Sequence, residues 1–372
     1  MKTPHILLMA GGTGGHIFPA LAVADWLSAR GWQTTWLGSA GGMEESLVPQ
    51  NNIPLETISI GGVRGKSLLT KLLSPLHLLS AVFQAMGIIK RIKPDVVLGM
   101  GGFASGPGGL ASRLLGYPLC IHEQNAIAGM TNRYLAKMAQ FKLAAFPNSL
   151  VNATAVVGNP VRNDIVEIVS PEVRFARKQG PLKILVVGGS RGAAILNETL
   201  PESIQLLLAD TDVSVRHQAG SGRRGVVLER YSSALAETDI AMEEVIEVSD
   251  FITDMKSAYE WADLVVCRSG ALTVSELASA GVASILIPFP HAVDDHQTVN
   301  GQYLVNGDSA RMIQQSVLNA QSLAQEIKAI GGREGCLNMA INARKLAKNN
   351  ATADVAGYCA KAAGYELQES VS

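Results

Sequence analysis

HILLMAGGTGGH, residues 5–16, decides the fold. His5–Ala10 is an apolar run of strand length, and Gly11–Gly15 cuts it off. From Pro19 to Arg30 apolar positions recur at helical spacing, and QTTWLG (33–38) then reads as a second strand. Strand, glycine turn, helix and strand make a βαβ unit, with parallel strands and a right-handed crossover. The pattern returns with DVVLGM (95–100), the turn GGFASGPGG (101–109) and the helical LASRLLG (110–116). A second copy opens at KILVV (183–187), runs into GGSRGA (188–193) and a helix, and continues with the strand VSVRHQAG (213–220). ADLVVCRSG (262–270) is its later strand, followed by the helix ALTVSELASAG (271–281). First-to-second strand offsets are about 27 and 30 residues in the two halves, and first-to-later offsets about 90 and 80. The halves therefore read as two Rossmann-like, doubly wound parallel-sheet α/β domains and not as one long sheet. NDIVEIVSPEVRFARKQGPL (163–182), charged and carrying Pro171 and Pro181, marks the boundary. The expected domains are 1–165 and 166–344, with a helix at about 345–365 packing back on the first.

Composition agrees with two cores. The chain has 372 residues, 47% hydrophobic and only 17% charged, which argues against disorder. Its 37 glycines exceed the usual share of roughly 7% and cluster after apolar runs, as loops that approach a ligand do. A net charge of −1 gives no chain-wide attraction to nucleic acid. The four cysteines, Cys120, Cys267, Cys336 and Cys359, have no CxxC spacing, which disfavours disulfides and structural zinc and fits a reducing cytosol. The opening apolar run is too short for a signal peptide, and no stretch approaches 18 uninterrupted apolar residues.

A glycine loop between a strand and a helix presents bare amides at a helix N-terminus, a place that favours phosphate. Dinucleotide binding needs GxGxxG and an acid about 20 residues on. GGTGGHIF has no third glycine in register, its second strand ends at Leu37-Gly38, and GGSRGA lacks GxG. GGVRGKS (61–67) is one residue short of a P-loop and reads as a basic turn. HAVDDH (291–296) and DTD (210–212) have metal-like spellings but sit in turns, and no metal or cofactor is expected. LCIHEQN (119–125) sets His122, Glu123, Gln124 and Asn125 directly after a strand, where open α/β sheets bind ligands, although Asn125 also suits a helix cap.

Seven segments in this order resemble the MurG family of N-acetylglucosaminyltransferases in peptidoglycan synthesis: GGTGGHIFPALAVA, LGMGGFASGPGG, HEQNAIAGMTN, VVGNPVR, VVGGSRGA, VCRSGALTVSE and PFPHAVDDHQTVN. The likeness runs from about Ile6 to Asn300. It implies the GT-B fold, two Rossmann-like domains facing a cleft. It implies inverting transfer of GlcNAc from UDP-GlcNAc to lipid I, by a β(1→4) linkage, to give lipid II. By the same correspondence His16 is the candidate base, with helix capping as its plain alternative, and Glu123 is the rival base or an acceptor-orienting group. Histidine suits the proton transfer because it titrates near neutral pH. Thr13, Gly14 and Gly15 would approach the donor's sugar and diphosphate, and Arg162 and Ser190 would meet phosphate. The turn and helix Ser269, Gly270, Ala271, Leu272, Thr273, Val274, Ser275 and Glu276 would hold the nucleotide, with Glu276 on the ribose hydroxyls. Ile252 matches a uracil contact, while Asn125, Gln297 and Asn300 match contacts to GlcNAc. Two departures stand out: Phe103 replaces a frequent tyrosine in the acceptor region, and Arg191 a frequent glutamine. A GT-B enzyme with another acceptor shares the donor half, and HEQN with GGFASGPGG favours lipid I; a UDP-GlcNAc epimerase would need neither an acceptor nor a membrane patch.

The resemblance also implies an anionic membrane surface as partner, on the cytoplasmic side of the inner membrane, and contact with other cell-wall synthesis proteins. Leu72, Leu76, Leu79, Phe83 and Met86 recur at helical spacing, flanked by Arg64, Lys66, Lys71, Lys90, Arg91 and Lys93. Residues alone allow an ordinary core helix or an interfacial one; the family favours the second.

Overall fold

The computed structural model describes residues 2–61, 74–189, 192–290 and 292–366. The chain divides into two compact units, Met1–Arg162 with Asn349–Ser372, and Asn163–Lys348. Each is built on one parallel sheet.

In the first unit the strands are β1 (His5–Met9), β2 (Gln33–Ser39), β3 (Leu55–Ile58), β4 (Val96–Gly99), β5 (Leu119–Glu123), β6 (Phe141–Ala144) and β7 (Ala155–Val156). Their order is β3-β2-β1-β4-β5-β6-β7. Helices cover both faces, so β1, β4 and β5 are buried throughout. β5 ends in His122 and Glu123, which lie inside the strand and not after it as the sequence suggested, because the ladder to β6 runs through both residues. Successive side chains of β1 point to opposite faces. Ile6 and Leu8 join the helix Gly14–Ser28 and the last helix, Ala351–Ala362, through Val355, Ala356 and Cys359. Leu7 and Met9 pack on the other face with Ala81, Val82, Ala85 and Ile89 of the helix Ser74–Ile92.

The second unit repeats the plan with β8 (Leu182–Val187), β9 (Val213–Gln218), β10 (Ile246–Ser249), β11 (Leu264–Cys267), β12 (Ala283–Leu286) and β13 (Ala310–Met312). Its order, β10-β9-β8-β11-β12-β13, reverses at the β8/β11 junction as the first sheet does at β1/β4. Crevices beyond the carboxyl ends of strands at such a reversal are where open α/β sheets take ligands.

Some local readings shift. The first helix begins at Gly14 and not near Pro19, which lies inside it. Gly14 and Gly15 carry no apolar period, so the sequence hides that turn. The charged stretch 163–182 holds two short helices, Asn163–Val166 and Pro171–Phe175. It is pinned by buried cations: Arg174 donates to the carbonyls of Ala280 and Gly281, and Lys178 pairs with Asp263 at 3.0 Å. The helix expected at about 345–365 is Ala351–Ala362, and a separate helix, Gly332–Lys345, ends before it. Among the described residues no helix is long and apolar enough to cross a membrane.

Candidate active site

At the first reversal three loops meet. The β1 loop passes from Ala10 into the helix Gly14–Ser28, whose N-cap, Thr13, makes no side-chain cap. The β4 loop lies against it: a Cβ on Gly102 would fall 2.5 Å from the Gly11 carbonyl oxygen, and its φ of +88° already selects glycine. A Cβ on Gly101 would come within 2.9 Å of the His16 ring. From the β5 loop, Gln124 Oε1 stands 2.9 Å from His16 Nδ1. His16 thus sits in the first helical turn with its ring bonded across the loops. Its side chain is not the helix cap.

Below the loops are two buried carboxylates. Glu44 is 0% exposed and accepts from the Ser39 amide (2.8 Å), the Ser39 hydroxyl (2.6 Å) and the Gly12 amide (3.1 Å). Burial alone would raise its pKa, but these bonds outweigh it and hold the carboxyl below its ordinary value. Glu44 is a strut under the glycine loop. Glu123, also buried, accepts from four N–H groups: the Asn125 amide and side chain, the Gly129 amide and the Asn132 side chain. Its lone pairs are spent on ordering the β5 loop. His122 is fully buried and bonds the Gly158 carbonyl at 2.8 Å; burial, partly offset by that bond, pushes its pKa down to about 4. Phe103 is exposed, and Arg162 is half-buried at the end of this unit's first segment.

In the second unit, the glycine loop after β8 is braced by Gly192, where a Cβ would fall 2.2 Å from the Ala219 carbonyl oxygen. Gln218 joins two loops: its Nε2 donates to the Gly189 carbonyl, and its Oε1 accepts from the Ile252 amide. Ile252 lines a cavity of about 200 Å³ with Arg216, His217, Asp254 and Ser257. The helix Ala271–Ala280 starts after extended Gly270 with no side-chain cap, and its positive end favours an anion. Buried Ser269 precedes it, and Asn300 Nδ2 reaches the Ser269 carbonyl at 3.4 Å. In that helix Ala271 and Val274 face inward, Leu272 and Thr273 are half-buried, and the Ser275 hydroxyl donates to the Ala271 carbonyl. Glu276 is buried, and Tyr259 donates to its Oε2 at 3.1 Å. Gln297 Oε1 accepts from the Phe289 amide.

Ser190, Arg191 and His291 lie outside the described residues, as do Arg64, Lys66, Lys71 and Leu72. Asp210 of the DTD turn pairs with Lys328 at 2.8 Å. Among the described residues no three His, Cys, Asp or Glu side chains gather as metal ligands. Sequence reasoning missed Glu44, Asn132, Gln218, Tyr259 and the Gly158 carbonyl. Each acts through a partner distant in sequence or through main chain, and no local motif announces it.

Two doubly wound units, each with a glycine loop and a helix start at its sheet's reversal, define the GT-B class of nucleotide-sugar glycosyltransferases. The chain belongs to glycosyltransferase family 28, in its MurG branch: the family's N-terminal domain matches residues 6–142 and its C-terminal domain residues 183–355. It is 50% identical to the UDP-N-acetylglucosamine–N-acetylmuramyl-(pentapeptide) pyrophosphoryl-undecaprenol N-acetylglucosamine transferase of Ralstonia nicotianae, over 96% of each chain. The transferase of the same name from Aeromonas hydrophila is also 50% identical, over 98% of this chain and 99% of its own. The crystal structure of Acinetobacter baumannii MurG matches with a TM-score of 0.83 at 41% identity, over 96% of this chain and 99% of its own. A glycosyltransferase of kitacinnamycin, 15% identical with a TM-score of 0.68, shares the fold.

Proposed function

We propose that this chain moves N-acetylglucosamine from UDP-N-acetylglucosamine to lipid I, the undecaprenyl-diphospho-N-acetylmuramoyl pentapeptide, and so makes lipid II. The observation that carries the chemistry is the His16 imidazole, held at the sheet reversal of the first unit with Nδ1 on Gln124. Its Nε2 has no hydrogen-bond partner among the described residues and takes the proton from the attacking acceptor hydroxyl. That hydroxyl displaces UDP in line, the anomeric centre inverts, and a β(1→4) linkage forms from an α-linked donor. Glu123 supports the acceptor loop and is not the base, since its carboxylate already accepts four N–H bonds.

The leaving diphosphate gains charge as the bond breaks. The positive start of the helix Ala271–Ala280, with Ser269, Gly270, Leu272 and Thr273, stabilises it without a metal. Ser190 and Arg162 add phosphate contacts, and Thr13, Gly14 and Gly15 the amides of the first helix. Glu276, oriented by Tyr259, takes the ribose hydroxyls, and Ile252 lies against uracil in its small cavity. Asn125, Gln297 and Asn300 meet the GlcNAc, and Phe103 lines the acceptor side without a hydroxyl.

The chain reaches its lipid acceptor from the cytoplasmic face of the inner membrane. Leu76, Leu79 and Phe83 are 63%, 52% and 62% exposed along one stripe of the helix Ser74–Ile92, while Ala81, Val82, Ala85 and Ile89 are buried on the other side. An apolar stripe ending in Lys90 suits an anionic bilayer, while the neighbouring Arg91 is paired with Glu56.

UDP release measured with and without a soluble lipid I analogue tests the reading. Release should require the analogue and fall about 10²-fold or more in His16→Ala, the range for loss of a general base. Release without any acceptor would favour hydrolysis or epimerisation of the donor and overturn the assignment.

A further inference from the structure

We propose that Gln124 and His122 are positioning residues that hold the His16 imidazole with its proton on Nδ1 and its lone pair on Nε2. The inference rests on the reading of His16 as the base and supplies what that reading lacks, a reason for the reactive tautomer. An imidazole acts as a base only through an unprotonated nitrogen, and which one that is depends on the bond the other nitrogen makes.

The Gly158 carbonyl can only accept, so His122 Nε2, 2.8 Å away, donates. Gly158 has a φ of +90°, a backbone turn that favours glycine and aims this carbonyl into the core. His122 is fully buried and stays neutral, so its Nδ1 carries a lone pair. The Gln124 atom 3.2 Å from that nitrogen must therefore be the amide Nε2, and the same Nε2 also lies 3.2 Å from the His122 carbonyl oxygen. Rotating the amide by half a turn would set its oxygen against two acceptors. Gln124 Oε1 consequently faces His16 Nδ1 at 2.9 Å, and an amide oxygen only accepts. The proton of neutral His16 is on Nδ1, and Nε2 is the base.

Two further contacts keep the relay in place. Asn159 Nδ2 donates to the Gln124 carbonyl at 3.1 Å and fixes the main chain beneath the amide. Glycine at 101 makes the space the ring occupies, since a Cβ there would sit 2.9 Å from the ring atoms Cε1 and Nδ1. Unlike a carboxylate, the amide selects the tautomer without adding charge beside the ring.

The test reads the ring directly. Imidazole ¹⁵N shifts are recorded on the labelled full chain at alkaline pH, with the His16 signals identified by their loss in His16→Gln. Wild type should show a protonated Nδ1 and an unprotonated Nε2. Gln124→Leu should give mixed tautomers and lower kcat at least about 10-fold, tautomer control being worth up to about 10⁴ in the Ser-His-Asp triad. KM for UDP-GlcNAc should stay within about twofold, because the relay acts on proton transfer and not on donor binding. Gln124→Glu, which keeps an acceptor on Nδ1, should restore the tautomer, but turnover should stay below wild type, because its second oxygen faces the His122 Nδ1 lone pair and carbonyl and its charge sits beside the ring. A protonated Nε2 in wild type, or an unchanged spectrum and kcat in Gln124→Leu, overturns the proposal. Turnover that survives His16→Gln overturns the assignment of the base instead, and is told apart because the spectrum does not depend on turnover.

Discussion

His217 makes the second unit acid-sensitive. The residue lies on β9, 1% exposed, with Nε2 3.0 Å from Asn197 Oδ1 and Nδ1 3.1 Å from the Tyr231 hydroxyl. Asn197 Nδ2 donates to the Ala219 carbonyl, so its Oδ1 accepts, His217 Nε2 donates, and the Tyr231 hydroxyl donates to Nδ1. Both nitrogens are satisfied with the ring neutral. Burial pushes its pKa from 6.5 to about 4. A base whose folded pKa lies below its unfolded one binds fewer protons when folded, so stability is full above the unfolded value. It is lost as pH falls from about 6.5 toward 4. At pH 5 nearly all unfolded chains carry the proton and few folded ones do, which costs about 2 kcal/mol relative to pH 7. Urea unfolding of wild type and His217→Gln at pH 7 and pH 5 isolates the effect. Any loss of packing in the variant is present at both pH values and cancels, while other titrating groups act equally in both proteins. Wild type should lose about 2 kcal/mol more than the variant between the two conditions. Losses equal within about 0.5 kcal/mol would refute the argument.

Three other outcomes follow from single sites. Gly102→Ala places a Cβ 2.5 Å from the Gly11 carbonyl oxygen at a φ of +88°, and thermal unfolding should show a loss of about 1–3 kcal/mol with reduced turnover. Glu44→Gln swaps one accepting oxygen for a donor that faces Ser39 or Gly12 N–H groups, and should cost about 1–3 kcal/mol in the same measurement. Phe83→Ser should weaken sedimentation with phosphatidylglycerol vesicles by about 10-fold or more, a buried aromatic being worth about 1.5–3 kcal/mol, while turnover on a soluble acceptor stays unchanged.

Much of the sheet order was legible because each apolar run was followed by glycines and then by helical spacing. β1, β8 and β11 lie where HILLM, KILVV and LVVC place them, and ALTVSELASA is a helix from Ala271 to Ala280. The sequence misleads where its signal is local and the cause is not. Glycines at 14 and 15 weaken helical propensity, yet the helix begins there because the loop is braced from Glu44 and Gly102. The charged stretch after 163 looks like a solvated linker, yet Arg174 and Lys178 turn inward to carbonyls and to Asp263. His122, Gln124 and His16 can each be singled out by type. Their connection spans 108 residues between His16 and Gln124, and only strand order brings the β1 and β5 loops together.

The first unit gives up the chain at Arg162 and takes it back at Asn349. During synthesis the ribosome therefore releases all seven strands of that sheet while Val355, Ala356 and Cys359, which close one face of its core, have not yet been made. The second unit is a continuous segment and can complete its own core first. The unit that comes first in the sequence is thus the one whose core is completed last, and a stop codon before residue 351 would leave its β1 face open although every strand of its sheet had been translated.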